Sequence, residues 1–195
     1  MHYTWWKTLA MFAVLSFGAF NAAACAQVGA LAGQSAATAK TGAAACPTAA
    51  NDTRLLTNEE HGYCLLYPAT HTIERYSPSG TAIVVGSIVN HTDPRVSIEM
   101  EPAAGRTTQQ AADAHAAEVG APGMEVKRSS IKIGGQDAVV LDNVPYQDLA
   151  RETIVAHNNR VYRLQFTPAD PADAEVYAGT QKLYDTVVSS FRFTE

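Results

Sequence analysis

Alternation with a period of two is the strongest constraint in this chain. Between Arg95 and Glu101, Val96, Ile98 and Met100 alternate with Ser97, Glu99 and Glu101. Successive side chains of a strand point to opposite faces, so one set is buried and the other is wet. A single strand cannot bury such a face alone, so the chain must build a sheet. Thr81–Val89 (TAIVVGSIV) is almost continuously apolar, as a central strand covered on both faces should be. Arg54–Thr57 and Tyr63–Tyr67 flank Asn58-Glu59-Glu60-His61-Gly62 and read as a hairpin ending at Pro68. Further strands are expected over Met124–Ile133, Asp137–Leu141, Glu152–Ala156 and Arg160–Phe166, with a short terminal strand in Ser190–Phe193. Gly134-Gly135 and Asn158-Asn159 sit where tight hairpins need positive φ. In Arg160–Phe166 the side carrying Tyr162, Leu164 and Phe166 is core, and Val161, Arg163 and Gln165 face the other way.

Two helices interrupt this pattern. Thr107 with Gln110 three residues later is a capping box, and Ala112, Ala116 and Val119 then share one helical face, with Gly120–Gly123 ending the helix. Near the C-terminus, Asp170 is expected to cap a helix with Pro171 in its first position. Val176, Thr180, Leu183, Tyr184, Val187 and Val188 recur at three- and four-residue steps. Gly179 weakens that helix by about 1 kcal/mol relative to Ala. The expected class is α+β, a central antiparallel sheet with the C-terminal helix packed on it.

The front of the chain reads as an address. Leu9–Phe20 is an apolar run behind the weakly cationic Met1–Lys7. It falls short of the roughly 20 residues that span a bilayer and has the length of a signal-peptide core. Asn21-Ala22-Ala23-Ala24-Cys25 resembles a bacterial lipobox, with Ala22 where Leu is usual. It implies removal of residues 1–24 and a lipid on Cys25, placing the protein on a bacterial cell membrane or outer membrane. Ordinary cleavage after Ala24 or Ala26 is the alternative and would release a soluble secreted or periplasmic protein. Residues 25–53, rich in Ala, Gly, Thr and Ser, form a flexible linker, and residues 54–195 form one globular domain.

The formal charge of −5 leaves no broad basic surface, which argues against nucleic-acid binding. Of three cysteines, lipid on Cys25 would leave Cys46 and Cys64 as a pair for a disulfide in an oxidising compartment. The competing reading makes Cys64 a small buried apolar residue and Cys46 a free thiol.

Gly62, Tyr63, Leu65, Tyr67 and Pro68 open the domain as Gly-Tyr-x-Leu-x-Tyr-Pro, and its C-terminal helix runs into Ser190-Phe191-Arg192-Phe193. Together with the antiparallel sheet, these features resemble the PsbP-like family over residues 54–195. That family includes the extrinsic photosystem II protein, a eukaryotic Ran-GTPase release factor and many small bacterial lipoproteins. The resemblance implies an α/β/α sandwich, no catalytic residues, and a role in binding or assisting other proteins. The neutral tether here differs from the basic amino-terminal region of plant members, so photosynthesis is not implied.

Candidate chemistry is sparse. His61, Cys64 and His71 have spacings that zinc could use, but a structural site needs four ligands and no paired motif recurs. His115 and His157 read as boundary residues. Glu99 and Glu101 point the same way along a strand and mimic an acid/base pair, yet strand alternation alone accounts for them. Gly134-Gly135-Gln136 reads as a tight turn, and no Gly-x-Ser-x-Gly elbow is present. Core packing leaves Asn143–Arg151 unexplained. This Pro-ordered connector is expected to expose Tyr146, Asp148 and Arg151 as a binding loop.

The expected function is therefore that of an exported, membrane-anchored lipoprotein, a non-enzymatic binding or assembly-accessory module. It is read with no cofactor, no metal, and a protein or envelope component as partner. A small-molecule or metal-binding envelope protein and a hydrolase are the alternatives.

Overall fold

A computed structural model describes residues 45–89 and 92–194. The leader expected over 1–24, the lipid site expected at Cys25, the expected linker up to residue 44, and His91 lie outside the described residues.

The expected α+β class is what the described residues adopt: they form two antiparallel sheets and two helices. The small sheet pairs β1 (Thr53–Asn58) with β2 (Tyr63–Pro68), and β2 with β10 (Arg192–Phe193). The large sheet takes the order β3 (Thr72–Ser77), β4 (Gly80–Val84), β5 (Arg95–Pro102), β9 (Arg160–Thr167), β8 (Leu149–His157), β7 (Gln136–Pro145), β6 (Lys127–Ile133). The hairpin turns fall where positive φ was expected: Gly134 at 57°, Gly135 at 82°, Asn158 at 46° and Asn159 at 59°.

Helix α1 (Thr108–Val119) starts at Thr107, whose hydroxyl accepts from Gln110 N while Gln110 Oε1 accepts from Thr107 N, completing the capping box. Helix α2 (Ala174–Ser190) starts later than its sequence suggests. Asp173 is the cap, accepting from Val176 N at 3.3 Å, whereas Asp170 Oδ1 holds Ala172 N in the preceding turn. Gly179 has a packing reason. A Cβ there would lie 2.8 Å from Pro94 Cγ, so the glycine that weakens the helix lets Pro94 sit against it.

Register sends Tyr162, Leu164 and Phe166 of β9 to the α2 face, where they join Val96, Ile98, Leu183 and Val187 in the main core. The opposite face carries a second core of Val139, Leu141, Ile154 and Val161 under the small residues Ala111 and Ala112 of α1. Val161, on the side of β9 away from the aromatics, is thus buried as well. Helix α1 packs over β7 and β8, and beside it β5 and β9 carry polar side chains on that face.

Two strand expectations need correction. Only Thr81–Val84 of the run Thr81–Val89 is strand, within β4 and second from the edge, because the chain bends away at Val85 and Gly86, the latter at φ 74°. Edge strand β3 was not foreseen, since its residues are polar or exposed along nearly its whole length.

Cys46 and Cys64 are bridged, with Cα atoms 5.8 Å apart. The bond ties the segment before β1 to the fully buried Cys64 in β2. Because it closes 18 residues of sequence, Cys46→Ala is expected to lower the unfolding free energy by about 3 kcal/mol. Urea unfolding with and without reductant checks this: reductant should shift the wild-type midpoint and leave the variant unmoved.

Candidate functional site

Strand pairing places Glu99 of β5 opposite Arg163 of β9, and Arg163 opposite Ile154 of β8, so Glu152 lies diagonally across from the guanidinium on the α1 face. Helix α1 then brings His115 over Glu152. The result is a continuous charged network. His115 Nε2 bonds Glu152 Oε2 at 2.6 Å, and the Tyr146 hydroxyl donates to Glu152 Oε1 at 2.9 Å. Arg163 Nη1 reaches the Tyr146 oxygen at 3.2 Å and Glu152 Oε1 at 3.4 Å, and its Nη2 donates to Glu99 Oε2. The Tyr76 hydroxyl donates to Glu99 Oε1 at 3.0 Å.

Glu152 is wholly buried, and its three partners come from the α1 helix, the β7–β8 turn and β9. A buried carboxylate is tolerated only with such compensation. Partial burial pushes the phenols of Tyr76 and Tyr146 up, and the neighbouring carboxylates Glu99 and Glu152 push them further, so both stay protonated donors. Burial works against the charge of Arg163, but Glu99 and Glu152 outweigh it and raise its pKa. Above the network lies an open cavity of about 550 Å³ lined by Glu99, Glu101, Arg106, His115, Glu118 and Tyr146, among others.

Tyr76 and Tyr146 stand on either side of Arg163, 39% and 40% exposed. Their hydroxyls are bonded to carboxylates, and both residues stay part-exposed. Tyr76 packs against Gly80, where a Cβ would come within 2.7 Å of its ring. Gly80 is therefore fixed by close approach.

The expected binding loop does not form as one surface. Tyr146 joins the network above, while Asp148 Oδ2 turns to Arg95 at 3.8 Å. Arg151 is not in the loop at all. It lies within β8 on the α2 face, with Nε bonded to Asp142 at 2.5 Å, Nη1 bonded to Gln181, and its guanidinium 4.9 Å from the Tyr184 ring centroid. A bulge between Leu141 and Val144, with Asn143 at φ 61°, and the strand's alternation send the three side chains to three places.

The other candidates also disperse. Cys64 sulfur is held in the disulfide, His61 Nε2 bonds the Pro78 carbonyl at 3.0 Å, and no cluster of three metal-ligating side chains occurs among the described residues. Glu101 pairs with Arg106 at 2.7 Å, apart from the Glu99–Arg163 pair. His157 stacks on Phe193 at 4.0 Å. Ser129 and Lys132 have Ser-x-x-Lys spacing, but three steps along edge strand β6 put them on opposite faces, and Lys132 pairs with Asp137 at 2.6 Å. Sequence inspection missed the partnership of Glu152, His115 and Arg163, whose only signal was their placement on polar or boundary positions.

His71 serves the fold. It is buried, its Nε2 donates to the Pro94 carbonyl at 3.2 Å, and its Nδ1 accepts from the Thr70 hydroxyl at 3.1 Å, an arrangement of the neutral ring. Burial lowers its pKa, more than the Pro94 bond and the charge of Asp93 raise it. The unfolded chain therefore takes up this proton at higher pH than the folded one. Stability is full above about pH 6.5 and falls as pH drops below it. His71→Gln should flatten the stability profile between about pH 7.5 and 5 in urea titrations. An unchanged slope would remove His71 from the acid response.

No protein-family model and no curated protein matches this sequence. Among solved structures, the cyanobacterial PsbP (CyanoP) of Synechocystis sp. PCC 6803 superposes with a TM-score of 0.50, at 14% identity, over 77% of this chain and 98% of that one. The fold is PsbP-like. A crystal structure from Bacteroides thetaiotaomicron matches with a TM-score of 0.52 at 11% identity over 74% of this chain. This chain spans 49% of that protein's length. A Pseudomonas aeruginosa protein of unknown function aligns at 21% identity over 70% of this chain and 96% of that one, with a TM-score of 0.37. At these identities the likeness concerns architecture alone.

Proposed function

We propose that this chain is an exported, lipid-anchored accessory protein whose PsbP-like domain binds a partner protein, without catalysis, through the face beside α1. The observation that carries this reading is the pair of half-exposed tyrosines, Tyr76 and Tyr146, held on either side of Arg163 by bonds to Glu99 and Glu152. Tyr and Arg dominate binding hot spots, and side chains already fixed before binding lose little entropy on association. The leader and Cys25 supply the anchor, and the Cys46–Cys64 bridge suits an oxidising compartment. Among the described residues no helix is long and apolar enough to cross a membrane.

A photo-crosslinking amino acid at position 146 should give a discrete adduct in cells, and one at Lys182, on the exposed side of α2, should not. Equal adducts at both positions, or none at 146, would reject the open face. A fatty-acid probe should label the wild type and not Cys25→Ala. Equal labelling would reject the anchor and leave a soluble exported protein. The cavity beside α1, at about 550 Å³, is also within the size range of small-molecule sites, which keeps an envelope ligand binder as the second reading.

A further inference from the structure

Beyond Val161, helix α1 leaves β9 and its neighbour β5 open on its side of the sheet, and the groups at this border differ in how far their charge is already matched. Arg163 lies between two carboxylates, Glu99 and Glu152. Arg106 donates to Glu101 Oε1 at 2.7 Å, to the Pro102 carbonyl at 3.1 Å and, through Nε, to the Ala103 carbonyl at 3.0 Å. Four carboxylates, Glu99, Glu101, Glu118 and Glu152, thus stand against two guanidiniums, and His115 already donates to the most deeply buried of the four. The acidic excess lies at the rim, where the Glu101 side chain is 58% exposed and Glu118 is exposed. The cavity floor beneath is apolar, formed by Ala111, Ile154 and Val161, and the Tyr146 ring forms part of its wall.

An apolar floor, an aromatic wall and a carboxylate rim complement a long cationic side chain. Its stem would lie on the floor, and its head would meet the ring and the rim. The chain's net charge of −5 has the sign that would draw such a group in. Resting on the partner-binding reading above, we propose that this cleft accepts an arginine or lysine side chain presented by the partner polypeptide, with its cation against the Tyr146 ring and paired to Glu101 and Glu118.

The exported protein, purified in detergent, would be titrated calorimetrically with the peptide acetyl-Gly-Arg-Gly-Arg-Gly-amide, its glutamate counterpart, and spermidine. The arginine peptide should bind and the glutamate peptide should not. Glu101→Gln combined with Glu118→Gln should weaken arginine-peptide binding about tenfold without moving the melting temperature, because both side chains are at the rim. Tyr146→Leu should weaken it as well, and Tyr146→Phe, which keeps the ring, should retain it. Three outcomes would overturn the proposal: equal binding of the glutamate peptide, unchanged affinity in the double variant, or spermidine binding as tightly as the peptide. If the arginine peptide fails to bind while the position-146 crosslink still forms, the partner reading stands and the cationic assignment falls. If both fail, both fall.

Discussion

Arg163→Met is expected to lower the unfolding free energy by about 3 kcal/mol, although the arginine lies at the edge of an open cleft. The reason is the carboxylate behind it. Glu152 has no solvent exposure, and its compensation comes from His115, Tyr146 and Arg163. Methionine matches much of the arginine stem but offers no charge, so Glu152 would lose its only permanently cationic partner, and Glu99 would keep only the Tyr76 hydroxyl from this network. Removing one member of a buried ionic set is far more damaging than removing the set, because the remaining charge is left uncompensated. Arg163→Met combined with Glu152→Leu should therefore be less destabilised than the sum of the two single variants. Urea unfolding of all four proteins gives the coupling directly. An Arg163→Met variant within about 0.5 kcal/mol of the wild type would mean that the network contributes nothing to the fold.

What could be read from the sequence was local. The alternation in Arg95–Glu101, the Thr107–Gln110 box and the paired turn residues each carry their own physics, and each led to an element at the right place. Thr72–Ser77 gave no such signal, because an edge strand with Glu74 and Arg75 need not bury a continuous face. The start of α2 was misplaced. Asp170 with Pro171 has the chemistry of a cap and first helical position, yet the residues from Asp170 to Asp173 form a separate turn and Asp173 is the cap.

The site was illegible because it is made by register. Glu99 and Arg163 are 64 residues apart and become partners only when β5 lies beside β9. Taken alone, each is a polar residue at an outward strand position. Glu152 is indistinguishable in sequence from a solvated glutamate until α1 crosses over it. Tyr146 could be singled out because the sequence around it fits no core pattern. Asp148 and Arg151 were grouped with it by proximity along the chain, whereas the strand's alternation separates them in space.

The joint between the two sheets should be as sensitive as the ion network, for an unrelated reason. Phe191, fully buried, caps α2 and leads directly into β10. Its ring stacks on Tyr63 of β2 with centroids 5.4 Å apart, and meets Tyr162 of β9 at 6.4 Å and Phe193 at 5.0 Å, both edge to face. Tyr162 is fixed in turn by donating its hydroxyl to the His61 carbonyl at 2.8 Å. One ring from each of four segments thus fills the space where the small sheet, the large sheet and the helix end converge. Phe191→Ala should open a cavity that these neighbours cannot close without moving apart, costing about 3–5 kcal/mol. Phe191→Leu should recover much of that. Because the loss is one of packing, it should be insensitive to salt and should take the near-ultraviolet tyrosine dichroism with it. Retention of that signal together with a loss below about 1 kcal/mol would show that the two sheets hold together without this cluster.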